Sequence, residues 1–154
     1  MKQKIDLALK WLLIVLMAVL TLDVVWQVCS RYLLQNPSEY TDELARFLMI
    51  WVGLLGASYV TGQRQHLAID ILPNRLTGIR AQRLDYFIQI CIILFAAVMV
   101  IGGLRLMYIT LKLGQNSSSL GVPLGLVYSV VPLSALLMIY YAVYFMLNPE
   151  SADK

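Results

Sequence analysis

Four long apolar runs separated by short polar segments constrain this sequence more than any other feature. A helix needs about 20 mainly apolar residues to cross a bilayer. The runs predict spans over residues 11–34, 43–62, 84–113 and 122–147, and in 154 residues they leave no room for a soluble domain. Only 14% of the residues are charged, against about 25% in ordinary soluble domains. We therefore predict an all-α integral membrane protein with one membrane domain over residues 1–154.

Turn and cap residues mark the ends of these spans. Pro37 follows the first span, and Asp42 and Glu43 open the second, where carboxylates complement the positive end of the helix dipole. Pro123 is acceptable in the first turn of the fourth span because its missing N–H has no helical partner there. Pro132 lies deeper in that span and predicts a kink.

Residues 63–83, between the second and third spans, predict a short interfacial amphipathic helix. This segment is too charged to cross a bilayer, and its apolar residues recur at helical spacing at Leu72, Leu76 and Ile79. Its cations are the predicted anchors to membrane lipids: Arg75, Arg80 and Arg83.

The distribution of cations predicts the orientation. With four spans, one side carries Lys2, Lys4, Lys10, Arg64, Arg75, Arg80, Arg83 and Lys154, and the other carries Arg31, Arg46, Arg105 and Lys112. Because cytoplasmic segments are enriched in Lys and Arg, both termini are expected in the cytoplasm. Cations at the ends of apolar runs also argue against a nucleic-acid surface.

Asp23 is the sharpest anomaly, because it lies about midway along the first span. A carboxylate at that depth costs about 2.5–3.5 kcal/mol on insertion scales. One interpretation is a ligand for a coupling ion, a proton or a substrate. The other is a carboxyl group that hydrogen-bonds to a neighbouring helix and fixes its packing.

A second group of charges lies on the predicted outer side: Arg31, Glu39, Asp42, Glu43, Arg46 and Arg105. They are either ordinary interfacial charges that reach water or a docking surface for an external partner. Glu43 and Arg46 are three residues apart on one helix, so they can pair locally. Gly53 and Ala57 form a small-x-x-x-small pair, which suits close helix packing either inside the chain or against another subunit.

The sequence offers no catalytic, metal or cofactor site. Cys29 and Cys91 belong to no C-x-x-C pair, and both are predicted to be buried packing residues. His66 is the only histidine, which excludes bis-histidine haem ligation within the chain.

Three segments resemble the small membrane subunit of the tripartite ATP-independent periplasmic (TRAP) transporters, the DctQ-like family. Residues 40–46, Tyr-Thr-Asp-Glu-Leu-Ala-Arg, are similar to the family's stretch at the start of the second span. Residues 65–72, Gln-His-Leu-Ala-Ile-Asp-Ile-Leu, are similar to the stretch after that span, although Gln65 replaces a glycine. Ser-Leu-Gly-Val-Pro at 119–123, followed by Tyr128 and Val-Pro-Leu at 131–133, is similar to the start of the last span.

The resemblance implies an accessory scaffold subunit in the bacterial inner membrane. Its implied partners are a large multi-span permease subunit and a periplasmic solute-binding protein, which together drive uptake of organic acids such as sialic acid or C4-dicarboxylates with a sodium gradient. Two alternatives stay open at this point. One is an autonomous oligomeric transporter or exporter that uses Asp23, and the other is a membrane anchor of a quinone-linked oxidoreductase.

Overall fold

A computed structural model describes residues 2–33, 39–63 and 79–147, with the side chains of 79–82 left out. The helices are α1 Lys2–Tyr32, α2 Glu39–Gly62, α3 Ile79–Lys112, α4 Leu124–Tyr128 and α5 Val130–Leu147. Four helical stretches are long and apolar enough to cross a membrane: Lys2–Tyr32, Glu39–Gly62, Arg83–Lys112 and Leu124–Leu147. The prediction of an all-α membrane protein with four spans is confirmed.

Three helices begin before the apolar runs from which their spans were predicted. α1 begins at Lys2, α2 at Glu39 and α3 at Ile79, because polar residues next to a span can continue its helix into the interface. Arg83 is exposed on α3, and Arg80 lies in the first turn of the same helix. Residues 64–78, with Arg75, lie outside the described residues, so the interfacial helix stays a prediction.

The fourth span is interrupted at Ser129, where α4 ends and α5 begins. Pro132 accounts for the position of this break. A proline has no N–H for the carbonyl four residues earlier, and its ring clashes with that carbonyl, which here belongs to Tyr128. The helix therefore breaks three residues before the proline, and a regular bond from Leu133 N to Ser129 O (3.3 Å) resumes the ladder.

The helices pack mainly in a row, and the start of α1 also contacts α5 through the bond between Asp6 and Tyr141. α1 packs against α2, α2 against α5, and α3 against α4 and α5, and these are the main contacts between described elements. The α4–α5 span is the most buried, with ten buried residues against three in the longer α1. The row therefore has two middle members, α2 and the α4–α5 span, and two edge members, α1 and α3.

The middle of the row is held by close packing and by hydrogen bonds between helices. The Ser58 hydroxyl on α2 lies 2.9 Å from Ser134 O on α5, and Trp51 Nε1 donates to Val127 O of α4 at 3.1 Å. Gly62 ends α2 directly under the ring of Tyr141, so an added Cβ there would lie 2.6 Å from the ring carbon Cζ. These contacts fix α2 and α5 against each other.

Candidate functional site at the loop end of the helices

The two ends of the row differ, and the candidate site lies at the end formed by the close of α1, the start of α2 and the 113–123 connection. We call this the loop end, and the opposite end, with the start of α1 and the close of α5, the terminal end. An open depression of about 520 Å³ at the loop end is lined by Gln27, Arg31, Glu39, Asp42, Glu43, Arg46, Ser118 and Ser119. Every lining residue is polar or charged.

The 113–123 connection is a tight, internally bonded turn. Gly114 and Gly121 have φ angles of 60° and 66°, a left-handed conformation that glycine adopts without steric cost. Two backbone bonds close the turn, Ser117 N to Val122 O and Leu124 N to Gln115 O, both 2.9 Å. These bonds hold the tip of the turn over the start of α2.

Glu43 connects α2 to this turn. Its Oε2 accepts hydrogen bonds from the backbone N–H groups of Ser119 at 2.9 Å and Leu120 at 3.2 Å. A carboxylate that accepts two N–H groups forms charge-assisted bonds, which are roughly twice as strong as neutral ones. Residues 40–46 and 119–123 carry two of the three resemblances noted in the sequence, and they meet at this contact.

Asp42 connects α2 to α1 on the other side of the depression. Its Oδ1 accepts a hydrogen bond from Gln27 Nε2 at 3.1 Å, and its Oδ2 pairs with Arg46. The local pair that Glu43 and Arg46 could make is therefore replaced by the pair of Arg46 with Asp42. Helical spacing would let Arg46 pair with either carboxylate. Glu43 instead accepts hydrogen bonds from the 113–123 turn, which is distant in sequence.

The predicted outer charges divide into two groups. Arg31, Glu39, Asp42, Glu43 and Arg46 all line the depression, whereas Arg105 is not among its lining residues. Arg105 is exposed on α3, which packs against α4 and α5. The row therefore separates Arg105 from the site, which no reasoning along the sequence could anticipate.

Three lining residues were not predicted: Gln27, Ser118 and Ser119. A signal for Gln27 existed, because it follows Asp23 by one helical turn and shares its face of α1. The two serines belong to a polar turn with no distinguishing motif, and only the fold of the turn brings them to the depression.

Asp23 does not join the depression. It is 9% exposed, and its Oδ2 has no hydrogen-bond partner among the described residues. Residues 2–33, 39–63 and 79–147 contain no group of three or more His, Cys, Asp or Glu side chains placed to hold a metal ion. The structure thus buries Asp23 on the packed side of α1, and the described residues form no metal-binding group around it.

The remaining predicted positions lie on outward surfaces. Gly53 and Ala57 are both exposed, and an added Cβ on Gly53 would meet no atom within 4 Å. Cys91 is exposed while Cys29 is half-buried, so the prediction that both cysteines are buried was wrong for Cys91. It was assigned by residue type, but its position on α3 faces away from α5.

Comparison with known families agrees with the geometry. A family model described as the DctQ component of tripartite ATP-independent periplasmic transporters matches residues 17–150. That range includes both segments that meet at the depression. The chain belongs to the DctQ family.

Relatives of this DctQ-family chain are permease proteins of TRAP transporters. A Haemophilus influenzae protein named as a TRAP transporter small permease protein is 28% identical over 134 residues, which are 87% of this chain and 82% of that one. The sialic acid TRAP transporter small permease protein SiaQ of Vibrio cholerae is 25% identical over 122 residues, 75% of this chain and 70% of SiaQ. The isethionate TRAP transporter permease protein DctMQ of Oleidesulfovibrio alaskensis is 28% identical over 123 residues, 78% of this chain but 19% of DctMQ.

Proposed function

We propose that this DctQ-family chain is the scaffold subunit of a TRAP transporter in the bacterial inner membrane. It works with a large multi-span permease subunit and a periplasmic solute-binding protein. The complex takes up carboxylated organic acids, and a sodium gradient drives the uptake. Both termini lie in the cytoplasm, and the loop end faces the periplasm.

The observation that carries this proposal is that the helices are bonded to one another at both ends of the row, while the edge helices α1 and α3 expose their outer faces. At the loop end, Glu43 binds the turn at Ser119. At the terminal end, the Tyr141 hydroxyl donates to Asp6 Oδ1 at 2.6 Å and joins α5 to α1. Helices tied at both ends resist relative movement, which suits a fixed scaffold.

A large permease partner is supported by the length of DctMQ. The segment that matches this chain makes up about a fifth of that protein. In such a protein the DctQ-like part is held covalently beside the rest, which raises its effective concentration for that contact. A separate DctQ-family chain is expected to make the same association without the linkage.

The depression at the loop end is the proposed docking site for the binding protein. Five of its lining side chains are charged: Arg31, Glu39, Asp42, Glu43 and Arg46. Exposed charges of both signs set orientation and association rate more than affinity. With both termini in the cytoplasm, this end meets the compartment where a solute-binding protein resides.

The proposed substrate class follows from two relatives. SiaQ of Vibrio cholerae is named for sialic acid. DctQ of Rhodobacter capsulatus, 28% identical over 104 residues that cover 66% of this chain and 44% of DctQ, is named for C4-dicarboxylates. Both solutes are carboxylated acids. This small subunit would support their transport while other subunits select among them.

Reconstitution tests the proposal directly. Vesicles contain this chain alone, the large permease alone, or both, and receive the binding protein, labelled sialic acid or succinate, and an inward sodium gradient. We expect accumulation only with both membrane subunits and the binding protein. Accumulation by this chain alone, abolished by Asp23→Asn, would establish the autonomous transporter instead. That alternative is not favoured, because among the described residues Asp23 belongs to no metal-binding group and its Oδ2 has no hydrogen-bond partner.

A further inference from the structure

The outward face of α3 carries a continuous stripe of large apolar side chains. Phe87, Leu94, Val98, Ile101 and Tyr108 are each between 64% and 69% exposed. Cys91 and Arg105 are exposed at the intervening positions. We call these seven residues the α3 stripe. Their intervals alternate between four and three residues, the heptad spacing by which one helix presents a seam to another.

Arg105 is the unusual member of the α3 stripe. It lies seven residues before the end of α3 at Lys112, which is about 10 Å along the axis. No ion pair of Arg105 is found among the described residues, where Arg46 and Asp42 form a salt bridge. A cation on a lipid-facing surface must stretch toward the interface or find a counter-charge.

The exposed face of α1, the opposite edge of the row, has a different character. Trp11 and Trp26 flank its central apolar stretch, and both are exposed. Indole rings at both interfaces with apolar residues between them are typical of a lipid-facing helix. The one charged residue between the two tryptophans, Asp23, is buried. Lipid alone can therefore satisfy this face.

We infer that the α3 stripe is the surface that a transmembrane helix of the large permease subunit covers, with a carboxylate of that helix against Arg105. The inference rests on the proposed function and adds the location of the interface. Heptad spacing favours packing at about +20° between the helix axes, the commonest geometry in membrane bundles. The counter-charge removes the cost of Arg105 at that depth.

Co-purification with a tagged large permease tests the stripe. Leu94→Ala with Ile101→Ala is expected to reduce recovery of this chain by about tenfold, the equivalent of 1.4 kcal/mol of interface free energy. The matched control, Leu22→Ala with Val25→Ala on α1, should leave recovery unchanged. Arg105→Glu should also lose the complex because it places like charges together, whereas Arg105→Lys should retain it.

Cys91 provides a second measurement that does not depend on the stability of a variant. With Cys29→Ala, it is the remaining thiol of the chain. In detergent at a pH near the ordinary thiol pKa of about 8.5, a maleimide should label it at least about tenfold more slowly in the complex than in the isolated subunit, as expected for an atom buried in a packed interface.

The outcomes separate the two proposals. If the wild-type chain does not co-purify with the permease, both the proposed function and the α3 stripe inference fail. If it does, and the stripe variants bind equally well while Cys91 keeps its labelling rate, the interface lies elsewhere and only this inference fails. Disulfide-linked dimers through Cys91 in the absence of the permease would assign the stripe to a second copy of the chain and overturn it as well.

Discussion

The middle and the edges of the helix row differ in what holds them in place. Tyr141 and Ser58 in the middle are fully buried and bonded to neighbouring helices. At the edges, Leu22 on α1 and Ile101 on α3 are about 70% exposed. The contrast teaches that the chain fixes its own middle but leaves two faces for lipid or another protein. Substitutions in the two regions should therefore affect different measurements.

The largest expected effect is Tyr141→Ala in the middle of the row. It removes a buried ring and the bond to Asp6, and we expect a loss of about 3 kcal/mol in the free energy of unfolding. This is the low end of the range for large aromatic residues, because burial against lipid-like surroundings gains little transfer free energy. Unfolding in detergent measures it, and Tyr108→Ala at the edge is the control. Equal losses of unfolding free energy in the two variants would contradict the distinction between the middle and the edges of the row.

Gly62→Ala should have the next largest effect on the free energy of unfolding, and the sign of the change tests the packing. The new Cβ would lie 2.6 Å from the Tyr141 ring, so we expect a loss of about 1–3 kcal/mol from overpacking. Gly53→Ala, which meets no atom within 4 Å, should instead stabilise the isolated chain by up to about 1 kcal/mol through helix propensity. Thermal unfolding of the two variants side by side would show opposite shifts. Shifts of the same sign would mean that the Tyr141 contact is not close.

Ser58→Ala tests the polar contact between the middle helices. The single hydroxyl proton is shared between Leu54 O at 3.0 Å and Ser134 O at 2.9 Å. A shared bond between membrane helices contributes about 0.6 kcal/mol on average, and we expect a loss of that size in detergent unfolding. Thr21→Ala, which removes an exposed bond to Met17 O within α1, is the matched control. A larger loss in the control would place the important polar contact at the edge.

The smallest expected effect is Leu94→Ala on the α3 stripe. For the isolated subunit we expect a change within about 0.5 kcal/mol, as for surface substitutions generally. The same substitution at Leu55, which is 1% exposed, should cost about 2 kcal/mol or more. Detergent unfolding compares the pair. Similar losses at both positions would remove the difference between edge and middle.

Several features could be predicted from local sequence because they depend on a few neighbouring residues. The apolar runs predicted four spans. Asp42 and Glu43 were expected in the first turn of the second span, and Asp42 lies there, but α2 begins at Glu39, so Glu43 lies in the next turn. Pro132 predicted a kink in the last span, and the helix is interrupted at Ser129, where the proline ring acts on the previous turn. The segment 40–46 also pointed to the family that the match over residues 17–150 shows.

The sequence by itself determined a membrane protein of four spans with charges gathered at their ends, because hydropathy and turn residues act locally. Only the tertiary structure decided that the helices form a row, that Glu43 binds the turn at Ser119, and that Arg105 lies apart from the other charges. Those outcomes depend on which helix faces meet. In a nonpolar solvent most apolar faces are nearly equivalent, so small residues such as Gly62 and a few hydrogen bonds between distant positions select the arrangement.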